Sequence, residues 1–534
     1  MLFTSYSFIG FVLLLGTLYY LVPGKHQWKL LLLGSLLFYA FSGPWNLLYI
    51  LTTSLTVWAG ALAVEKNYAR KKEGLKELKK ADLPPDQKKA QTAAFKKKQA
   101  ADLKRIMVLT IVFNLLILAV VKYTNFLIAN INGILGAGRQ LSLLHIALPM
   151  GISFYTLQAI GYLVDVHREV IPAQKNYFKF LLFISFFPLV IQGPICRFGE
   201  VTEGRLFAEN RFSWKNVSFG LERILWGFFK KLVIADRISA AVNTVIGDTS
   251  AYRGAYILFL MLIYTIELYA DFTGGIDITI GVAEMLGITL PENFKRPYFS
   301  QSLKEYWRRW HISMCEWFRN YLFYPVSTSK PIRELTKLSK AKLGKDLGRR
   351  IPVYVSSFVV WFATGVWHGA SWNFIVWGLL NWAVLMISEE LEPLYARFHQ
   401  HFPSASGPAY SVFCMIRTFL LVCFMNLFDC YAKIGEILSL LASVFTVHNY
   451  ASFFGGGVME LGMSGTDYAV TGIGILVLLS VSIYEERKGS VREMLLERPY
   501  LVRTLVWTGL FVAVLLIGAY GAGYDASQFI YNRF

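Results

Sequence analysis

The sequence predicts an all-α protein that crosses a membrane many times. Hydrophobic residues make up 55% of its 534 residues and charged residues only 16%, well below the quarter or so that is typical of soluble domains. Many apolar segments approach the roughly 20 residues that a helix needs to span a bilayer. No stretch has the long alternation of a membrane β-barrel. We therefore expect about ten to thirteen crossings, together with re-entrant or interfacial helices.

The expected spans are distributed along the whole chain. Segments 29–64 and 352–388 are long enough to hold a bent or doubled span. The shorter apolar pieces 272–290 and 433–447 are the expected re-entrant or interfacial helices, because irregular backbone needs protein around it at membrane depth. The other expected spans are 6–22, 106–133, 141–164, 178–195, 219–235, 254–270, 411–429, 469–484 and 504–523.

The positive charge lies in connecting segments between the apolar runs. The net charge is +18, yet no nucleic-acid-binding module is recognisable. Segment 65–105 holds 14 Lys or Arg against six acids and reads as two basic helical pieces split by Pro84-Pro85, and segment 330–350 holds eight against two. We expect both to be cytoplasmic loops, since basic residues concentrate on the cytoplasmic side of membrane proteins. With 485–503 also inside, the tail 524–534 is expected to be extracellular.

The whole chain, 1–534, is interpreted as one integral membrane domain. Its five cysteines are odd in number, form no CxxC pair and lie mostly in or beside apolar runs. They indicate neither a disulfide framework nor a zinc site, and small buried side chains explain them better.

His368 is the first candidate for chemistry. It lies near the middle of residues 351–388, which contain no Asp, Glu, Lys or Arg. Ionisable groups in apolar membrane segments are costly and usually functional. The alternative is a histidine that only bonds a neighbouring helix. Gly365 and Gly369 flank it, so that another group could approach closely.

His311 is the second candidate, within "YWRRWHISMCEWFRNYLF" at 306–323. Read as one helix, this stretch stacks Trp307, His311 and Cys315 on one face. One interpretation is an interfacial helix with rings at headgroup depth. The other is a lining for an anionic, ring-bearing ligand, since arginine suits phosphates and indoles stack on bases. The residues that would line such a site are Trp307, Arg308, Arg309, Trp310, Arg319 and, beside His368, Trp367.

The acids of "IELYADFTGGIDITIGVAE" are expected to be structural. Asp271 and Asp277 do not share one clean helical face with the other two acids, and Gly274-Gly275 is expected to break the helix. No metal-ligand spacing accompanies them, so we predict no metal site. They are expected to pair with Arg308, Arg309 and Arg319.

Several ordered motifs resemble the membrane-bound O-acyltransferases, and within them the bacterial branch of alginate O-acetyltransferases, related to the D-alanyl transferases of teichoic acid synthesis. They are "LPMGISFYTLQAIGYLVDVHR" (148–168), "FFPLVIQGPICRFGE" (186–200), "GFFKKLVIAD" (227–236), "RPYFSQSLKEYWRRWHISMCEWFRNYLFYP" (296–325) and "TGVWHGASWNFIVWG" (364–378). The chain departs from the usual pattern at "DFTGGIDITIG" (271–281), at Asn320 and at "PVSTSK" (325–330).

The resemblance implies a helical membrane bundle with a central tunnel, in which His368 and His311 match the two histidines of the family. It implies transfer of an acyl group, expected to be acetyl, from a cytoplasmic thioester for O-acetylation of a cell-surface polysaccharide. The donor would be acetyl-CoA or an acyl-carrier thioester, with no tightly bound cofactor. His368 would be the general base, and His311 would orient the acyl group or donate to its carbonyl oxygen.

The same resemblance implies a multi-pass protein of the bacterial cytoplasmic membrane, in contact with lipid. Because the chain contains no soluble carbohydrate-binding domain, a separate extracellular partner with an SGNH-type esterase fold is expected. Three alternatives stay open. They are D-alanyl transfer to teichoic acid, transport of a polysaccharide or lipid-linked sugar, which would favour inverted repeats that are not visible here, and a scaffold whose catalysis lies in a partner.

The chain ends in "FIYNRF", residues 529–534, with Tyr531 between two phenylalanines. This pattern resembles a terminal motif of the same branch. The tail either anchors in the interface and docks to the partner, or folds back so that Tyr531 carries the acyl group transiently near His368. A phenol has a pKa near 10, so a base must take its proton.

Overall fold

A computed structural model describes residues 3–136 and 140–519. Within these ranges the chain forms helices and connecting segments, without a β-strand. The prediction of an all-α membrane protein is therefore confirmed. The described residues divide into two compact units, the first comprising 10–213 and 286–290 and the second comprising the remainder.

The first unit contains two long helices and several short ones. The long helices, Leu47–Lys80 and Pro85–Leu135, are separated at Pro84-Pro85 as expected, but each basic piece is continuous with an apolar span. Phe95 packs against Gly74 between them. The other helices are Gly24–Ala40, Ile152–His167, Tyr177–Ser185, Phe187–Gln192, Phe198–Glu203, most of Tyr6–Leu21, and the 3₁₀ turn Pro44–Asn46.

The second unit carries the longer series of helices. They are Trp214–Phe228, Asp236–Gly247, Ala255–Met285, Leu303–Arg309, Ile312–Phe318, Tyr324–Ser327, Lys330–His368, Trp372–Glu390, Glu392–His401, Pro408–Cys430, Ile434–Thr446, Tyr450–Phe454, Gly465–Lys488, Val491–Leu496 and Tyr500–Ile517. Two π-helical segments, Phe229–Ala235 and Arg319–Phe323, and the 3₁₀ turns Pro297–Phe299, Pro403–Ser406 and Gly457–Glu460 complete it. Lys330–His368 is interrupted at Gly344, whose φ is +80°.

The described residues contain fewer membrane-spanning helices than the ten to thirteen expected. By length and composition seven helices qualify, or eight if the bent pair Trp372–Glu390 and Glu392–His401 is one span. The difference arises because several apolar segments form helices that are too short on their own. Segment 178–195, for example, forms two short helices that meet at Phe186. The expected doubled spans, 29–64 and 352–388, are each two helices.

The helix that contains Gly274-Gly275 is unbroken, contrary to expectation. Ala255–Met285 runs straight through the expected re-entrant segment. Its glycines instead allow close contact with helix Trp214–Phe228, since a Cβ atom at Gly274 would lie 2.9 Å from the carbonyl oxygen of Gly227. Packing of backbone against backbone thus outweighs the weak helix propensity of glycine.

Asp271 and Asp277 do form ion pairs, but not with the arginines that the sequence suggested. Asp277 accepts from Lys230 at 2.5 Å and from Arg223 at 3.0 Å, and Asp271 pairs with Lys231. Both lysines lie in the π-helical segment Phe229–Ala235 and are buried. Buried charges of this kind need close partners, because an unpaired ion in apolar surroundings is costly.

Candidate active site

His311 occupies a sharp break between two short helices rather than the face of one helix. Its φ and ψ are 46° and 52°, in the left-handed region that non-glycine residues seldom adopt. Helix Leu303–Arg309 ends before it and helix Ile312–Phe318 begins after it. The expected stack of Trp307, His311 and Cys315 is therefore wrong. The break turns the imidazole into the interior, where it is 0% exposed.

Asn293 holds this break from a separate segment of the chain. Its carbonyl oxygen accepts from the backbone N–H of Ile312 at 3.0 Å. Its side-chain Oδ1 accepts from the backbone N–H of Ser313 at 3.0 Å and from the Ser313 hydroxyl at 2.9 Å. The same oxygen lies 3.4 Å from Nδ1 of His311. Asn293 therefore caps the second helix and contacts the imidazole with one amide group.

Aromatic rings enclose the His311 imidazole. Phe272 meets it edge-on with ring centroids 5.0 Å apart, Phe294 lies nearly parallel at 6.4 Å, and Trp367 lies at 6.2 Å. Burial lowers the pKa of His311 well below its usual value, and the positive charge that His368 can carry lowers it further. Both effects favour the neutral form of the His311 imidazole.

His368 is the last residue of helix Lys330–His368 and is half-buried. Its ring lies 4.6 Å from the ring of Trp377 and stacks at 6.4 Å on Phe374. The indole of Trp367 is 5.2 Å from it, centroid to centroid. Trp367 thus contacts both histidines, and the structure brings the two predicted residues to the same aromatic cluster.

The space beside the two glycines that flank His368 is occupied by other residues of the protein. A Cβ atom at Gly369 would lie 2.1 Å from the ring of Phe374, and one at Gly365 would lie 2.5 Å from the Phe374 backbone oxygen. The close approach that the sequence suggested is therefore made by helix Trp372–Glu390. The absence of side chains at these glycines lets helix Trp372–Glu390 pack closely against the end of helix Lys330–His368.

The predicted donor-binding residues are of two kinds. Trp307 donates to Asn381 at 3.0 Å, and Trp310 is buried against Phe272 and Phe294, so neither belongs to a simple interfacial helix. The arginines lie further out.

Arg309 is bound to Glu486 and Glu305, and Arg319 to Glu316 on the surface, whereas the Arg308 side chain is exposed. Tyr531 lies outside the described residues, so its predicted role stays a prediction.

A cavity of about 860 Å³ is lined by Phe294, which contacts His311, but neither histidine lines it. Its lining includes the charged Arg223, Lys230 and Asp277, together with residues of helices Gly465–Lys488 and Tyr500–Ile517. The sequence pointed to Asp277 as a residue that pairs with cations, but not to Arg223 and Lys230 as its partners. Two adjacent lysines inside an apolar run, "GFFKKLVIAD", were the signal that could have revealed Lys230.

Comparison with known proteins agrees with this arrangement of motifs. The model of the membrane-bound O-acyltransferase family matches residues 167–339, which include His311. A probable alginate O-acetylase of Azotobacter vinelandii is 32% identical over 406 residues, covering 73% of this chain and 69% of that protein.

Two other relatives are named for different acyl-transfer activities. A peptidoglycan O-acetyltransferase of Helicobacter pylori is 30% identical over 56% of this chain and 58% of its own. A teichoic acid D-alanyltransferase of Bacillus subtilis is 28% identical over 52% of this chain and 67% of its own. Together with the family match and the many apolar helices, these similarities show that the chain belongs to the membrane-bound O-acyltransferase family and is a multi-pass membrane enzyme.

Proposed function

We propose that this enzyme passes an acetyl group from a cytoplasmic thioester through the bacterial cytoplasmic membrane for O-acetylation of a cell-surface polysaccharide. The names of the relatives support polymer acylation, since two of them are O-acetylating enzymes. The observation that carries the proposal is the position of His368 and His311 on one aromatic cluster around Trp367. An aromatic cluster of this kind would shield a reactive thioester from water while two imidazoles lie beside it, which supports the proposal.

In the proposed reaction His368 removes the proton of an attacking hydroxyl. The hydroxyl oxygen forms a bond to the acyl carbon, the carbon–sulfur bond breaks, and the proton passes to the departing sulfur. Base catalysis of this kind contributes about 10²–10⁴-fold to the rate. His311 orients the reacting groups from its buried position.

The donor is acetyl-CoA or an acyl-carrier thioester, and Arg308 is the best-placed of the predicted arginines to meet its phosphate, because its side chain is exposed. The acyl group then passes to a separate extracellular SGNH-type transferase, with Tyr531 as a transient carrier. An aryl ester is a good acyl donor, so the transfer across the membrane becomes two short steps.

D-alanyl transfer is the second candidate, favoured by the Bacillus subtilis relative. Both reactions leave an ester on a polymer, so the acid released from that polymer by mild base distinguishes them. Acetate supports the first proposal, and D-alanine supports the second.

The deciding experiment compares His368→Ala with His399→Ala in cells that lack the native copy. His399 is an exposed histidine on helix Glu392–His401 and serves as the matched control. We expect His368→Ala to abolish polymer acylation while folded protein stays in the membrane, and His399→Ala to retain it. Near wild-type acylation in the His368 variant would instead favour a scaffold or transporter.

A further inference from the structure

One amide fixes the chemical form of the His311 imidazole. Asn293 is 0% exposed and its Oδ1 atom lies between the backbone N–H of Ser313 and Nδ1 of His311. Oxygen and nitrogen of an asparagine amide look alike in shape, so their assignment must come from their partners.

The backbone N–H of Ser313 shows which atom of the Asn293 amide is the oxygen. A backbone N–H can only donate, so the atom that faces Ser313 must be the amide oxygen. The Ser313 hydroxyl lies 2.9 Å from the same atom. Nδ2 of Asn293 is buried without a hydrogen-bond partner among residues 3–136 and 140–519, so no contact there opposes this orientation.

The orientation of Asn293 determines the tautomer of His311. An amide oxygen has no proton to give, so its contact with Nδ1 of His311 is favourable only when Nδ1 carries the hydrogen. In a neutral imidazole the other ring nitrogen, Nε2, is then the acceptor. We propose that Asn293 is a positioning residue that holds His311 in its Nδ1–H form, so that Nε2 presents a lone pair.

The Nδ1–H tautomer excludes one of the two roles expected for His311. This consequence rests on the proposed acyl-transfer function. The neutral ring cannot donate through Nε2 to an acyl carbonyl oxygen, which was one of the two roles expected from the sequence. It accepts instead from a hydroxyl or an amide N–H of the bound substrates. His368 is the titratable group whose charge lowers the pKa of His311.

The direct test is the ¹⁵N spectrum of histidine-labelled protein in lipid nanodiscs, where the two neutral tautomers have distinct ring-nitrogen shifts. Subtraction of the His311→Gln spectrum assigns the signal. We expect the Nδ1–H form in the unaltered protein and in Asn293→Asp, whose carboxylate also accepts, and a shift toward Nε2–H in Asn293→Ala. Asn426→Ala is the control, because Asn426 is a buried asparagine whose side chain donates to the hydroxyl of Thr265 at 3.1 Å and not to a histidine.

Kinetics give an independent readout. Asn293→Ala should lose about tenfold or more of the transfer rate, and Asn293→Asp should restore much of it. A carboxylate also favours the imidazolium, so the acid limb of the pH–rate profile of Asn293→Asp should move to higher pH by about one unit or more.

An Nε2–H signal for His311 in the unaltered protein overturns the inference, even if Asn293→Ala does not fold. So does an unchanged tautomer in a folded Asn293→Ala variant. The spectrum does not depend on acyl transfer. An Nδ1–H signal in a protein without transferase activity would therefore defeat the proposed function and leave this inference standing.

Discussion

The guanidinium of Arg309 donates two hydrogen bonds to the carboxylate of Glu486, at 2.8 and 3.0 Å, across 177 residues of chain. Arg309 also pairs with Glu305 one helical turn away. This arginine therefore links the segment before His311 to the end of helix Gly465–Lys488. Its charge is already balanced, so we assign it a structural role rather than the donor contact that the sequence suggested.

Arg309→Ala should destabilise the protein by about 1–3 kcal/mol, because hydrogen bonds to charged groups are lost and Glu486 keeps only part of its pairing. Arg319→Ala is the control, since its pair with Glu316 is exposed on both sides and such pairs contribute about 1 kcal/mol or less. Unfolding temperatures in one detergent measure both. Equal shifts would contradict the structural role of Arg309.

Arg308→Ala should leave the unfolding temperature unchanged and raise the donor concentration that gives half-maximal transfer. The Arg308 side chain is exposed, so its removal breaks no packing, while a phosphate-bearing donor loses one charged contact. Purified enzyme and varied acyl donor provide the measurement. Arg333→Ala, another arginine with an exposed side chain, is the control. Identical donor dependence in Arg308→Ala would remove this residue from the donor site.

Gly274→Leu should lower the unfolding temperature sharply, because the new side chain would meet the backbone of Gly227, whose carbonyl oxygen would lie 2.9 Å from the Cβ atom alone. Overpacking of this kind costs about 1–3 kcal/mol, and more where backbone must move. Gly472→Leu is the matched control, since a Cβ atom there has nothing within 4 Å. A tolerated Gly274→Leu would mean that the two helices are less closely packed than described.

Stability should fall as the pH drops below about 6.5, the ordinary pKa of histidine. Burial holds the pKa of folded His311 well below that value. In this window the unfolded chain takes up a proton that the folded site refuses, so the free energy of unfolding decreases by up to about 1.4 kcal/mol per pH unit. Unfolding temperatures from pH 7.5 to 5 should decline less steeply in His311→Gln than in the unaltered protein. Parallel curves would show that His311 protonates as readily when folded.

Tyr531→Phe should abolish polymer acylation, because it keeps the ring and removes the hydroxyl that would carry the acyl group. Tyr524→Phe makes the same change seven residues earlier in the tail and should leave polymer acylation unchanged. Mass spectrometry of the C-terminal peptide should detect an acylated tyrosine when the extracellular partner is absent. Normal acylation by Tyr531→Phe would reduce the tail to an anchor or docking peptide.

Local pattern was sufficient to find most of the apolar helices and to point to His368 as a candidate. Its position in 38 residues without Asp, Glu, Lys or Arg is visible from composition alone. The doubled spans at 29–64 and 352–388 followed from length. These features depend on neighbours in sequence, which is why a pattern can predict them.

Features that depend on distant neighbours were missed. Gly274-Gly275 looks like a helix break until helix Trp214–Phe228 is placed against it. His311 looks helical until Asn293, 18 residues earlier, is seen to hold its left-handed backbone. The partners of Asp271 and Asp277 likewise come from a segment some 40 to 54 residues away. In each case tertiary contact overrides local propensity.

The π-helical segment Phe229–Ala235 has a consequence for how this protein can change over evolution. A π turn closes its hydrogen bond over one more residue than an α turn, so this segment takes up about one residue more than regular α-helix would for the same rotation about the axis. A one-residue deletion here would restore regular α-helix and leave Asp236–Gly247 in nearly the same orientation relative to Trp214–Phe228. Homologous chains can therefore differ in length by one residue more easily at this junction than within a regular helix, provided that Lys230 and Lys231 keep their pairing with Asp277 and Asp271.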